Sequence, residues 1–244
     1  FPGLTMPLSV GRPVSIAAVE AAAASEDKEL IIVAQRDPSV DAPGAADLFT
    51  IGTRAAIRKI TKPKADHFEV AVLGLERVVI VKVDDDKYLS ARYTPLAAPD
   101  DSSRETEALT LAIVEMGSKF AGLIQPGNAS PQEVARIFTS QEDPLRLAYV
   151  VGSLMGLDGA KEQSLLEAPT RVEALRLLHG WLAHELRKAG FETRYLALRS
   201  MDEPAQSHVE RLAAAVKEAG ASRIHLLGHS MGGVVILHYL RHAN

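Results

Sequence analysis

The sequence predicts an α+β protein in three parts: a rolled β-sheet or small barrel over residues 1–96, a helical subdomain over 103–190, and a partial α/β segment over 191–244. Three observations carry this prediction. Apolar residues alternate in the first part, which is typical of half-buried strands. From residue 103 they follow the period of an amphipathic helix. After Gly190, strand-like and helical stretches form a β-α-β-α order, the unit of a parallel sheet.

Composition limits the classes of function. The chain is 47% hydrophobic and 24% charged with a net charge of −4, which is typical of a globular protein without a basic nucleic-acid-binding face. The sequence contains no apolar run of the roughly 20 residues that cross a membrane. It also has no cysteine, which excludes disulfides and thiolate metal sites and fits a reducing compartment. We therefore expect a cytoplasmic protein that binds neither nucleic acid nor membranes.

The first part begins with a strand-like run at Leu4–Val10 and a short helix at 15–24, for which Ser15 is a plausible N-cap. A structured loop then joins two strands, and three further strand-like runs follow, the first two interpreted as paired strands around Gly74. The five strands predicted after the helix are Leu30–Ala34, Thr53–Ile60, Phe68–Leu73, Val78–Val83 and Leu89–Thr94. Asp84–Asp86 lacks the spacing of a calcium loop, so we expect a solvated turn and no metal.

Helices dominate the second part. Ser130, Pro131 and Glu133 open one helix, and Thr170–Glu173 is a capping box that opens another, which Gly190 ends. The predicted helices are Ser103–Phe120, a helix opening at Ser130, Pro144–Leu157, Lys161–Glu167 and Thr170–Leu186. None of them presents a pair of titratable groups suited to catalysis.

Several motifs of the first two parts belong to one known family. They are the opening Phe1–Leu8, the run Val33–Pro38 (VAQRDP), the later Asp41-Ala42-Pro43 and Asp47-Leu48-Phe49, and Gly74–Arg77 (GLER). Over about residues 1–186 the chain resembles the amino-terminal domain of Lon proteases. The resemblance implies a PUA-like β domain followed by helices that captures unfolded or tagged polypeptides, without a cofactor.

The resemblance also sets what the chain is not expected to do. The 244 residues contain no G-x-x-x-x-G-K-[ST] loop, so we expect no ATPase and no Lon protease site in them. Exposed apolar side chains of the β domain are the expected contact surface, although the sequence does not identify them. Self-association and peptide specificity are left open.

The third part carries a different motif. A predicted helix at Ser207–Ala219 precedes the strand-like run Ser222–Leu227, which leads into Gly228–Gly233 (GHSMGG) and a predicted helix at Val234–His242. Over residues 187–244 the chain resembles α/β-hydrolases of the lipase and esterase type, in which such a turn exposes a nucleophilic serine. The resemblance implies Ser230 as nucleophile and the Met231 amide as oxyanion donor.

That hydrolase site is incomplete in the sequence. The fourteen residues after Ser230 include His238 and His242 but no carboxylate, and His238 lies about 12 Å along the predicted helix. His179-Gly180 resembles a second oxyanion donor, yet its surroundings favour a helix. The two resemblances meet near His179–Leu186, at a natural fusion, a truncation or a misjoined gene. The sequence therefore favours a polypeptide-binding module, with a serine hydrolase as the alternative.

Overall fold

A single long strand organises the first part of the molecule. The computed structural model describes residues 1–64, 67–124, 130–191 and 205–220. Within them, β4 pairs with β3 along one edge, whereas β1 and then β5 pair with β4 along the other edge, all antiparallel. The strands are β1 (Thr5–Val10), β2 (Glu29–Ile32), β3 (Ile51–Lys64), β4 (His67–Asp85) and β5 (Leu89–Leu96).

The continuity of β4 corrects one prediction. Phe68–Leu73 and Val78–Val83 are not two paired strands but successive parts of β4, which pair with β1 and with β5 respectively. Gly74 lies between them, where the first residues of the chain cross the sheet. A Cβ atom on Gly74 would lie 2.2 Å from the carbonyl oxygen of Phe1, so only glycine permits this crossing.

The buried face of the sheet forms the first core. Phe68, Val70 and Val72 alternate along β4 and pack with Ala55 of β3 and Val19 of helix α1 (Pro13–Ala24). Alternation places every second side chain on one face, and fully burying each large one contributes about 1.5–3 kcal/mol. The predicted helix at 15–24 is confirmed, but Ser15 as its cap is wrong.

Helix α1 begins two residues before Ser15, at Pro13. Arg12 is its N-cap residue and makes no capping bond with its side chain. Proline is suited to the first helical position because it has no amide hydrogen that would need a partner there.

The predicted structured loop between β2 and β3 is present. Gln35 donates its side-chain amide to the carbonyls of Asp37 and Val40, both at 2.6 Å, which closes the turn from inside. The Arg36 guanidinium lies 4.7 Å from the centre of the Phe49 ring, and Gln35 forms a bridge to Leu48. Residues of the VAQRDP motif therefore stabilise this loop through hydrogen bonds and a cation–ring contact within it.

Helices follow the sheet, which confirms the predicted α+β class. They are α2 (Arg104–Ile124), α3 (Pro131–Thr139), α4 (Pro144–Leu154), α5 (Gly159–Glu167), α6 (Arg171–Lys188) and, beyond a stretch outside the described residues, α7 (Ala205–Ala219). Helices α2 to α6 share one core, whose fully buried members include Ile113, Leu147, Leu165, Leu175, Leu178 and Leu182. Among the described residues, no helix is long and apolar enough to cross a membrane.

Helix α6 contains the stretch where the resemblance to Lon proteases and the resemblance to α/β-hydrolases meet. It continues through His179 and Gly180, and its first turn is capped by Thr170, which accepts a hydrogen bond from the Glu173 amide. Gly190 follows it with φ +86, the left-handed conformation that glycine adopts at a helix end. The helix prediction for this stretch is confirmed.

The third part is described only at α7. This helix matches the one predicted at Ser207–Ala219, and Gly220 follows it with φ +58. The strand-like run after Gly190, the run at Ser222–Leu227, the GHSMGG turn and the closing helix lie outside the described residues, apart from Phe191. The hydrolase-like segment is therefore not confirmed.

Candidate functional site

Two large apolar side chains are exposed on the sheet of the β domain. Val81 on β4 is 65% exposed, the highest value for a large apolar side chain in the described residues, and Tyr93 on β5 is 39% exposed. The two residues lie on paired strands: Tyr93 pairs with Ile80, and Val81 follows Ile80 where the register shifts before Lys82. We refer to Val81 and Tyr93 together as the β4–β5 surface.

Val81 lies where the register between β4 and β5 shifts. Tyr93 pairs with Ile80 and Arg92 pairs with Lys82, which leaves Val81 without a partner on β5. The side chain of Ile80 is half-buried, whereas that of Val81 is exposed. The β4–β5 surface thus lies at an irregularity of the sheet.

An ion pair lies beside this surface. Lys82 contacts Asp84, and this hydrogen bond holds the pKa of the Asp84 carboxyl below its usual value. The Asp84–Asp86 stretch thus ends β4 next to a lysine, at the exposed end of the strand. No group of three His, Asp or Glu side chains in the described residues could hold a metal ion.

A buried arginine joins the sheet to the helices. Arg77 of β4 is 5% exposed and donates from Nη1 to the carbonyls of Leu166 and Ala168, each at 3.0 Å, and from Nη2 to that of Ala97 at 2.8 Å. Gln163 adds a second connection by donating to the Ile51 carbonyl at 2.9 Å. These bonds fix the sheet relative to α5 and the linker before α2.

An aromatic pair lies at the same junction. The rings of Phe1 and Tyr149 stack with centres 4.7 Å apart and planes 10° apart. Tyr149 is 2% exposed, and its burial raises the pKa of its hydroxyl to about 12. Tyr149 is therefore a neutral hydrogen-bond donor at physiological pH.

The residues predicted for hydrolysis are not brought into a site by the described structure. Ser230 and Met231, together with His229, His238 and His242, lie outside the described residues. His179 and Gly180 lie inside α6, where a backbone amide is bonded to the carbonyl four residues earlier and is not free to hold an oxyanion. Burial lowers the pKa of His179. The serine-hydrolase alternative stays a prediction.

Sequence reasoning did not identify Val81, Tyr93 or Arg77 as site residues. A sequence signal existed for Arg77, because it ends the Gly74–Arg77 motif and is followed directly by an apolar run. Val81 stands next to Ile80 in a continuous apolar run, so nothing in the pattern separated the exposed residue from the half-buried one. The register shift at Val81 depends on how β4 pairs with β5.

Comparison with known proteins identifies the family of this fold. A family model described as the substrate-binding domain of the ATP-dependent protease La (Lon) matches residues 1–184. The Lon protease of Nitrosococcus oceani is 42% identical over 188 residues, which are 77% of this chain and 24% of that protein. The Lon protease of Escherichia coli is 36% identical over 195 residues, 80% of this chain and 24% of that protein.

A solved structure agrees with this match. The N-terminal domain of the Mycobacterium avium complex Lon protease superposes with a TM-score of 0.63 at 22% identity, covering 75% of this chain and 91% of that one, and shows the common fold. The chain spans about a quarter of the length of the curated relatives it matches. By its match over residues 1–184, the chain belongs to the family of Lon substrate-binding domains.

Proposed function

We propose that this chain binds unfolded or tagged polypeptides through the β4–β5 surface and holds them for an ATP-dependent protease of the Lon type. The observation that carries the proposal is the exposure of Val81 and Tyr93 on paired strands of a domain of the substrate-binding family. Unfolded chains expose apolar side chains, and these gain free energy when they contact an exposed apolar surface.

The chemistry of the two side chains suits such a role. Fully burying a valine-sized side chain is worth about 1.5–3 kcal/mol, and tyrosine adds a ring with a hydroxyl that tolerates either a polar or an apolar neighbour. A contact built on two such residues gives weak binding with little dependence on sequence. That is what capture of many different unfolded polypeptides requires.

The surroundings of the surface favour apolar over ionic recognition. Lys82 is paired with Asp84, so these two charges largely neutralise each other. The whole chain carries a net charge of only −4. A strongly acidic or basic polypeptide would therefore gain little from electrostatic attraction here, and exposed apolar segments are the expected ligands.

The experiment compares binding of a labelled unfolded polypeptide to the natural chain and to a Val81→Ser, Tyr93→Ser double variant. A reduced, carboxymethylated lactalbumin with a fluorescein label serves as the probe, and its anisotropy gives the Kd. Leu111→Ser is the matched control, because Leu111 is 48% exposed on α2, away from the sheet. The proposal predicts weaker binding for the double variant alone.

The cytoplasmic location and the division into three domains at 1–96, 103–190 and 191–244 stay predictions. Self-association is likewise an open question that a measurement of mass in solution would answer.

A further inference from the structure

A cleft lies where the sheet meets the helices, and it is separate from the β4–β5 surface. Its volume is ≈ 370 Å³. The walls are formed by the first residues of the chain, by β4 near Arg77, by the linker at Pro95–Ala98, and by α4 near Tyr149. Two of the side chains that line it are buried and polar, which is unusual for a purely structural gap.

The first is Arg77. Three carbonyls hold its Nη1 and Nη2 atoms, but its buried Nε has no hydrogen-bond partner among the described residues. Its hydrogen-bond partners are neutral carbonyls, and within the described residues its positive charge forms no ion pair with a carboxylate. Buried charges are normally paired, because burial removes the water that would otherwise stabilise them.

The second is Tyr149. Its hydroxyl is buried and likewise has no hydrogen-bond partner among the described residues. The charge of Arg77 partly counteracts the effect of burial on the pKa of this hydroxyl, so the two groups lie within electrostatic reach of each other. The cleft is therefore lined by two residues whose buried donor groups have no partner among the described residues.

The acidic side chains that line the cleft interact with other groups than these two donors. Glu76 is paired with Arg54 at 2.8 Å, and Asp143 lies 3.5 Å from Arg171 and caps α4. Arg146 also lines the cleft, and within the described part of the chain it forms no ion pair. The cleft thus combines two arginines and a hydroxyl donor with carboxylates that are already engaged.

We propose that this cleft binds a carboxylate group of a captured polypeptide, with Arg77 Nε and the Tyr149 hydroxyl as its donors. This inference rests on the proposed function, since it names the part of the polypeptide that is recognised. A carboxylate offers two acceptor oxygens and the negative charge that the buried guanidinium lacks. An amide carbonyl offers one oxygen and no charge. The carboxylate can belong to the chain end or to an Asp or Glu side chain.

The test uses the full chain and three labelled peptides of one apolar sequence. The first has a free carboxyl end, the second an amidated end, and the third an amidated end with glutamate as its last residue. Each is titrated against the natural chain, Tyr149→Phe and Tyr88→Phe. Tyr149→Phe keeps the ring that stacks on Phe1 and removes only the hydroxyl, whereas Tyr88→Phe removes a hydroxyl from a tyrosine outside the cleft. Thermal melting shows that the variants are folded.

The inference predicts that at least one carboxylate peptide binds the natural chain about tenfold more tightly than the plain amidated peptide. Tyr149→Phe should lower that preference several-fold without changing binding of the plain amidated peptide, and Tyr88→Phe should change neither. Which carboxylate peptide gains tells whether the chain end or an acidic side chain is recognised.

Equal binding of all three peptides to the natural chain would overturn the carboxylate site and leave the proposed function standing. A loss of affinity for all three peptides in Tyr149→Phe would overturn the assignment of the hydroxyl as a carboxylate donor. Failure of the natural chain to bind any peptide or unfolded protein would overturn the proposed function itself.

Discussion

Arg77 on β4 donates a hydrogen bond of 3.0 Å to the main-chain carbonyl of Ala168, 91 residues later in the chain. This bond joins the sheet to the turn between α5 and α6. It makes the two parts of the described structure depend on each other, since the same guanidinium also holds the linker through Ala97. The stability of the whole unit should therefore respond to this one side chain.

Replacing Arg77 with methionine should lower the free energy of unfolding by about 3 kcal/mol, because buried carbonyls lose their donor. Urea denaturation followed by circular dichroism measures the loss. Arg92→Met is the matched control, since Arg92 is exposed on the neighbouring strand β5 and should change stability by less than about 0.5 kcal/mol. Equal losses in the two variants would show that Arg77 does not join the sheet to the helices.

Asp101 provides a pH-dependent contribution to stability. Its carboxylate accepts hydrogen bonds from the amides of Arg171 at 2.7 Å and Val172 at 3.3 Å, at the start of α6. The Arg171 amide bond is the main cause that holds the pKa of Asp101 below its usual value. A lowered carboxyl pKa stabilises the fold above the unfolded-state pKa, and this stabilisation is lost as the pH falls through the folded-state pKa.

Asp101→Ala should therefore lower the free energy of unfolding by about 1 kcal/mol at pH 7, the usual value of a helix cap, and by much less near pH 2. Urea titrations at several pH values measure the difference. Asp100→Ala is a close control, because the Asp100 side chain is 97% exposed and contacts only the Arg171 side chain, at 3.1 Å. A destabilisation by Asp101→Ala that does not change with pH would contradict the assignment.

Two glycine substitutions should have opposite effects. Gly74→Ala places a methyl group 2.2 Å from the Phe1 carbonyl oxygen, so backbone must move and the free energy of unfolding should fall by about 2 kcal/mol or more. Gly180→Ala adds a methyl in open space inside α6 and should raise it by up to about 1 kcal/mol. Thermal unfolding of both variants measures the signs. A Gly74→Ala variant as stable as the natural chain would show that the first residues do not cross the sheet at Gly74.

Much of the local structure was predictable because its causes are local. Thr170 with Glu173 identifies the start of α6, and Gly190 its end, through capping chemistry that lies within a few residues. Polar turn residues such as Gln35 likewise indicated a structured loop. In contrast, the continuity of β4 through Gly74 depends on pairing with two strands, β1 before it and β5 after it in the chain. Periodicity carries no information on such pairing.

The candidate site was the least predictable feature. Val81 lies at a register shift between β4 and β5, and two of the partners of Arg77 lie about ninety residues away. The most visible sequence motif, the turn with Ser230, lies outside the described residues and contributed nothing to the site. The family resemblance, by comparison, predicted the fold of the first two parts because it rests on many separated motifs.

The most direct test of the central claim is the Kd of labelled, unfolded lactalbumin for the natural chain and for the Val81→Ser, Tyr93→Ser variant. We expect the Kd to increase about tenfold or more in the double variant and to stay unchanged in Leu111→Ser, because about two apolar contacts are lost. Unchanged affinity in a folded double variant would contradict it and would show that polypeptides are bound elsewhere on the chain.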